Sequence, residues 1–221
     1  MPAWNGWYHC ISGTYGSWLP GDPRGFRTRD HRVHIDGDYK SPPPDGKYDA
    51  WHEHARSIMP RDAVTLSPQA RQAALAVMLN AWVHVHKIEV LALSIGGQHF
   101  HVLARFRKLS TEQVTPDEQK PTDSIRGLPI GSAGLRENDP ARFYVGIAKK
   151  ESAKVLSSLG LAPPGGVWAK RGKIVPIADR EHQIRVMRYI IEHQQENAAV
   201  WDFKMALPSL PSLPQKQKPT D

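Results

Sequence analysis

This chain of 221 residues contains a single cysteine, Cys10, which excludes an internal disulfide bond. It has no uninterrupted apolar run of about 18 residues, the length that a membrane-spanning helix requires. It also shows no signal-peptide pattern and no Gly-rich loop of the P-loop type. These absences argue against a protein that spans a membrane or is driven by ATP. With no disulfide to form, we expect a reducing cytosol as its compartment.

Acidic residues are the minority among the charged ones. The 29 Lys and Arg residues outnumber the 22 Asp and Glu residues, so the formal net charge is +7 and the isoelectric point is near 9.6. Such a balance favours a polyanionic partner, because neutralising phosphates releases condensed counterions. We find no long basic amphipathic helix with an exposed aromatic face, so we expect nucleic acid rather than a membrane surface as the partner.

Residues 98–106 alternate in polarity with a period of two, which is typical of a strand. One face comprises His99, His101, Leu103 and Arg105, and the other comprises Phe100, Val102, Ala104 and Phe106. Two imidazoles at i and i+2 of a rigid strand can hold one divalent cation, because the sheet already orders them. The alternative is a pair of half-exposed strand histidines without a ligand.

The His-x-His spacing occurs at two further places, His84 with His86 and His52 with His54. A helix predicted over about residues 68–85 would point the rings of His84 and His86 about 200° apart. His52 and His54 lie in a segment rich in Pro, Asp and Trp that shows no periodicity. We therefore expect neither of these pairs to bind a metal ion.

A second candidate element is a helix over residues 179–197, capped by Asp179. Its predicted apolar stripe is Ile184, Met187 and Ile191. Tyr189 lies about 160° around the helix from Met187, and His193 follows one turn later on the same face as Tyr189. Tyr189 is therefore a candidate nucleophile and His193 a candidate metal ligand. The alternative is an ordinary surface tyrosine.

The segment His99-Phe100-His101 resembles the histidine–hydrophobic–histidine motif of the single-tyrosine HUH transposases. Tyr189 to His193 resembles their catalytic helix, in which a metal-ligating side chain, frequently Gln, follows the tyrosine by four residues. Residues 13–26 resemble the first strand and loop of a transposase-like subgroup allied to the REP-associated tyrosine transposases. The resemblance spans most of Trp7 to Trp201.

This resemblance implies cleavage of single-stranded DNA, with a hairpin or palindrome, by transesterification. Tyr189 would attack a phosphate and form a 5′-phosphotyrosine while a 3′-hydroxyl leaves. The resemblance also implies a divalent cation, Mg²⁺ or Mn²⁺, held by His99, His101 and His193, which would polarise the phosphate. The implied protein is a prokaryotic cytoplasmic transposase, associated with the nucleoid when bound to DNA, and either a monomer or a homodimer.

Basic side chains supply the candidate contacts to DNA. They are Arg24, Arg105, Lys170, Arg171 and Lys173. The last three alternate with apolar residues in a hairpin-like segment just before the expected catalytic helix, although a solvated surface is the alternative for each. Trp18 and Trp168 are candidate base-stacking residues, with core packing as the alternative.

The predicted element order is β, α, β, β, α, a hairpin-like segment and α, which indicates an α+β sandwich with an antiparallel sheet. The resemblance implies the ferredoxin-like or RRM-like version, with the histidines on a central strand. We expect one domain over residues 1–204, with irregular insertions at about 27–62 and 108–138. Residues 205–221 are rich in Pro and Lys and are predicted to be a disordered tail.

The sequence is also compatible with three other functions. A host protein derived from such a transposase would bind DNA hairpins without mobilising an element. A non-enzymatic nucleic-acid-binding module of the same sandwich class would keep its affinity when both strand histidines are replaced. A structural or hydrolytic metal protein with an incidental tyrosine would bind metal without forming a covalent adduct.

Overall fold

The computed structural model describes residues 3–28, 32–37, 40–106, 139–192 and 197–212. The strands are β1 (Trp7–Gly13), β2 (Glu89–Ile95), β3 (His99–Arg105), β4 (Lys173–Pro176) and β5 (Ala199–Asp202). The α-helices are α1 (Asp49–Ser57), α2 (Pro68–Leu79), α3 (Pro140–Ser158) and α4 (Arg180–Glu192). A 3-10 turn at Trp4–Gly6 precedes β1, and a π-helical segment at Asn80–Val85 continues α2.

The five strands form one antiparallel sheet in the order β4-β1-β3-β2-β5. With α2 between β1 and β2, and α3 between β3 and β4, the first four strands have the ferredoxin-like βαββαβ arrangement. Helices α2 and α3 pack on one face of the sheet, whereas α4 packs on the other. The predicted α+β sandwich is confirmed, with β3 and its histidines at the centre.

The predicted starts of α2 and α3 are confirmed by their caps. Ser67 Oγ accepts a hydrogen bond from the backbone N of Ala70 at 3.2 Å, and Asp139 Oδ1 accepts one from the backbone N of Ala141 at 3.1 Å. Both helices begin with proline, whose fixed φ suits the first turn and whose missing N–H costs nothing there. Local sequence therefore positions these two helices along the chain.

The main core lies between the sheet and the α2–α3 layer, and tryptophans anchor it. The Trp82 ring packs beside Phe100, and its Nε1 donates to the carbonyl O of Tyr144 at 3.0 Å. The Nε1 atom of Trp168 donates to Ser152 Oγ at 2.9 Å. Because Trp168 is buried and its polar atom is satisfied, it is a core residue rather than a surface for stacking bases.

The predicted irregular insertion at about 27–62 contains a helix, α1. Only Ala55 of this helix is buried, and Trp51 packs edge-on against Phe26 with ring centroids 5.8 Å apart. The prediction of irregular structure was wrong for this part, because a helix of nine residues whose inner face is marked only by Trp51 and Ala55 gives too short a pattern to recognise. On a helix the rings of His52 and His54 point apart, in agreement with the expectation that they share no ion.

The basic segment before α4 forms an interrupted edge strand rather than a hairpin. Trp168 forms an isolated antiparallel β-bridge with Thr14, and β4 then pairs with β1. Gly172 permits this close approach, since a Cβ there would lie 2.6 Å from the carbonyl O of Ile11. Strand β5 was not predicted, because its four residues are stabilised by pairing with β2, a long-range contact that leaves no local pattern.

The insertion predicted at 108–138 and the tail beyond 212 lie outside the described residues. The start of the predicted tail contacts the domain, because Trp201 Nε1 donates to the carbonyl O of Ala206 at 3.1 Å and Leu207 packs against the main core. Within the described part of the chain, no helix is both long enough and apolar enough to cross a bilayer.

Candidate functional site

The two histidines of β3 share the sheet face on which α4 packs. Their ring centroids lie 5.0 Å apart, and the rings are nearly perpendicular at 85°. Leu103, on the same face, packs in a small cluster with Ile190 of α4, whereas Phe100 lies in the main core. The predicted two-faced strand is therefore confirmed, and both imidazoles lie on the face of the sheet that α4 covers.

A third imidazole, His9 of β1, joins this pair. Its Nε2 atom lies 3.0 Å from Nδ1 of His101, and the two rings stack with centroids 5.2 Å apart. In the register of β1 on β3, Trp7 pairs with Arg105 and His9 pairs with Leu103, so His9 lies diagonally across from His101. Sequence reasoning missed His9, because the register between two strands so far apart in the chain is not a local property.

Burial keeps these three imidazoles neutral. Desolvation, with the nearby His9 and His99 as further causes, lowers the pKa of His101 to about 3. Desolvation, with cationic neighbours, lowers the pKa of His9 to about 4. The pKa of His99 is lowered by burial and then by the positive charge of Arg24. Since neutral imidazole is the form that binds metal ions, the ring nitrogens can act as ligands at neutral pH.

Three side chains near the centre of the sheet carry atoms that could act as ligands of a cation. His99 and His101 supply two imidazoles, and Ser94, directly opposite His101 on β2, has a buried Oγ without a hydrogen-bond partner among the described residues. Imidazole suits Zn²⁺ and other later transition ions best, whereas Mg²⁺ and Mn²⁺ are more often bound by oxygen ligands. The described residues include no group of three or more His, Cys, Asp or Glu side chains that could hold a metal ion. His193, the predicted third ligand, lies outside the described residues.

Helix α4 presents Tyr189 beside the imidazoles. The ring centroid of Tyr189 lies 5.5 Å from that of His101 and 6.4 Å from that of His9, in edge-to-face geometry in both cases. The Tyr189 side chain is 44% exposed, so a substrate can reach it. Asp179 caps this helix as predicted, because its Oδ1 accepts a hydrogen bond from the backbone N of His182 at 2.7 Å.

The predicted apolar stripe of α4 was wrong by about one residue. The buried side chains are Gln183, Val186 and Ile190. Ile184 is 44% exposed, and Met187 and Ile191 pack only at the margin of the cluster. Apolar residues occur on both flanks of the helix, so the period alone does not select the buried one. The rotation places Tyr189 about 60° from Val186, at the edge of the buried face, which brings its ring against the histidines.

Arg24 lies at the rim of this site. Its Nε donates to Asp22 Oδ1 at 2.9 Å, and its Nη1 donates to Gln98 Oε1 at 3.0 Å. The guanidinium lies 5.3 Å from the centroid of the Trp18 ring, and Trp18 is 49% exposed. A fixed, half-exposed guanidinium beside an open aromatic face suits a phosphate and its neighbouring base.

The remaining predicted DNA contacts divide into two groups. Lys170 and Lys173 line a cavity beside β4, and Arg171 is exposed between them. Arg105 is not brought to the histidines: it stands six residues along β3 from His99, about 20 Å away. Its Nη2 also forms an ion pair with Glu89 Oε1 at 2.7 Å.

No model of a known protein family, no curated protein and no solved structure matches this chain. Its function is therefore inferred from its own residues. An accessible phenol, neutral buried imidazoles and basic side chains at the rim together suit chemistry on a phosphate ester.

Proposed function

We propose that this protein cleaves and rejoins single-stranded DNA by transesterification, with Tyr189 as the nucleophile. The observation that carries the proposal is the position of the Tyr189 ring, 5.5 Å from the ring of His101 and 44% exposed. A tyrosine accessible to solvent thus lies against His101, one of the two imidazoles proposed to bind a cation. The resemblance of both segments to the HUH transposases supports the same chemistry.

In the proposed step, Tyr189 Oη attacks the phosphorus of a phosphodiester. A bond forms between Oη and phosphorus, and the bond between phosphorus and the 3′-oxygen breaks. The proton of the phenol leaves to solvent, and the leaving 3′-oxygen takes up a proton from solvent. Because the tyrosyl ester retains the energy of the phosphodiester, the reverse step rejoins strands without ATP.

His99 and His101 would hold the divalent cation in this proposal. A bound cation supplies Lewis-acid polarisation of the phosphoryl oxygen and helps to orient the phosphate. His9 would support His101 by accepting a hydrogen bond from its Nδ1, which leaves Nε2 of His101 for the cation. Arg24, whose charge acts on His99, would bind the phosphate from the rim.

A single strand is the proposed substrate because an unpaired base can stack on the exposed ring of Trp18. The further proposal of a hairpin or palindrome, and of a role in moving a DNA element in a prokaryote, rests on the resemblance of the motifs.

A denaturing gel tests the proposal directly. The protein is incubated with labelled single-stranded hairpin DNAs and Mn²⁺ or Mg²⁺, beside its Tyr189→Phe and His99→Ala variants. We expect a metal-dependent covalent adduct that is absent from both variants. Tyr8→Phe is the matched control, because Tyr8 packs against the main core instead of the site and its loss should leave the adduct intact.

Two other outcomes would contradict the proposal. If no hairpin gives an adduct while all variants keep a salt-sensitive affinity for DNA, the protein is a binding module without catalysis. If metal binds through the histidines and no adduct forms, Tyr189 is incidental to a metal site of another kind.

A further inference from the structure

A cavity of about 50 Å³ lies beside the edge strand β4, between β1 and α3. Four of its lining residues are basic: Arg142, Lys149, Lys170 and Lys173. Lys173 pairs with Ile11, so its side chain lies on the sheet face of His9 rather than on the α3 face. None of the described residues that line it is acidic. Arg142 and Lys149 lie two turns apart on one face of α3, whereas Lys170 and Lys173 come from the segment that pairs with β1. The fold thus gathers cations from two distant parts of the chain.

The positive charge of this cavity is only partly balanced by the protein. Asp139 Oδ2 lies 4.0 Å from Arg142 Nε, at the limit of an ion pair, and the other oxygen of Asp139 caps α3. Lys149 Nζ donates to the carbonyl O of Ala169, a neutral acceptor. Burial, followed by the charge of Arg142, lowers the pKa of Lys149 to about 8. A bound anion would reduce the electrostatic repulsion between Lys149 and Arg142.

We propose that the cavity binds a backbone phosphate of the same nucleic-acid strand that Tyr189 cleaves. The identity of the strand rests on the proposed function, whereas the affinity for an anion does not. Lys173 connects the two places: it lines the cavity, and its positive charge also acts on His9. A strand that crosses β4 would therefore place one phosphate at the histidines and another among Arg142, Lys149 and Lys170.

The size of the cavity agrees with a phosphate group. A water molecule needs roughly 10–15 Å³ by the same measure, so about 50 Å³ admits the oxygens of a phosphate but not a nucleobase. Gly146 lines the cavity, and a Cβ at this position would meet no atom within 4 Å. The cavity is therefore open to a ligand on the side of Gly146.

Gly146 also provides a sharp test, because a side chain can be added there without a clash. Gly146→Glu would bring a carboxylate to the cavity, and Gly146→Gln is its neutral control of the same size. Both changes remove a glycine from a helix interior, which favours folding. Single-strand affinity is measured against salt concentration for both, each in the Tyr189→Phe background so that no cleavage occurs.

We expect Gly146→Glu to bind single-stranded DNA roughly tenfold more weakly than Gly146→Gln at low salt. Arg142→Gln should reduce the slope of log K against log salt by about 0.7, the value for one phosphate contact on a single strand. Lys150→Gln, an exposed neighbour on α3 that does not line the cavity, should leave that slope unchanged.

Equal affinities and slopes for all these variants would overturn the proposal. So would stabilisation by inorganic phosphate that Gly146→Glu abolishes without any change in DNA binding, because the cavity would then serve a free phosphate compound. The result of the covalent-adduct assay does not depend on the result of these binding measurements. If no adduct forms but the predicted slopes are found, the proposed cleavage is wrong and the phosphate site stands.

Discussion

The Nε2 atom of His9 lies 3.0 Å from the Nδ1 atom of His101, so two buried imidazoles join neighbouring strands of the sheet. One nitrogen must donate and the other must accept, so this contact sets a tautomer in each ring. When His101 donates from Nδ1, its Nε2 keeps a lone pair for a cation. His9 is then the residue that orients the ligand.

Replacing His9 by alanine should lower the affinity for Mn²⁺ by about 10- to 100-fold, because His101 loses the partner that orients it. Isothermal titration of the metal-free protein measures this change. His84→Ala, at an exposed histidine on the π-helical segment, is the control. Adduct formation by His9→Ala should recover at high Mn²⁺ concentration, which a merely unfolded variant would not do. Wild-type Mn²⁺ affinity in His9→Ala would refute the positioning role.

Replacing Trp18 by alanine should weaken binding of single-stranded DNA by about 1–3 kcal/mol, the contribution of one stacked base. Stability should change little, because the ring is 49% exposed. Fluorescence anisotropy with a short oligonucleotide measures the affinity. Phe203→Ala serves as the control, since Phe203 is 50% exposed but follows β5 at the other edge of the sheet. A similar loss in both variants would argue against a stacking site at Trp18.

The ionisation of Asp22 should make the free energy of unfolding depend on pH in the acidic range. Burial of Asp22 opposes its ionisation, but hydrogen bonds from Arg24 outweigh burial and hold the pKa of the carboxyl below its ordinary value. Its stabilisation is therefore present above the unfolded pKa of about 3.9 and is lost as pH falls through the lower folded pKa. Urea unfolding at several pH values should show that the difference in unfolding free energy between wild type and Asp22→Asn becomes smaller below about pH 4. A difference in unfolding free energy that does not change with pH would contradict this role of the Asp22 carboxylate.

Replacing Gly172 by alanine should push the edge strand away from β1. The added Cβ would lie 2.6 Å from the carbonyl O of Ile11, and backbone cannot give way cheaply. We expect a loss of about 1–3 kcal/mol in unfolding free energy, together with weaker DNA binding as Lys173 moves. Gly146→Ala, where a Cβ meets nothing within 4 Å, is the control and should be as stable as wild type or more stable. Thermal denaturation compares the two, and equal midpoints would refute the close contact.

Much of this protein could be predicted from local sequence. The alternation of residues 99–105 identified the two-faced strand, and Ser67, Asp139 and Asp179 marked the starts of three helices. These signals are local, because side-chain alternation and helix capping depend on neighbours within a few residues. The pairing of His99 with His101 belongs to this class, since a strand places both on one face.

Only the tertiary structure decided how the site is completed. The position of His9 beside His101 depends on the register between β1 and β3, and the place of Tyr189 depends on which flank of α4 faces the sheet. The basic cavity likewise requires α3 and β4 to meet. Such choices follow from the burial of whole elements against one another, and that free energy is summed over contacts far apart in the sequence. The local sequence pattern therefore indicates which side chains are candidate ligands, whereas the packing of the elements sets their arrangement.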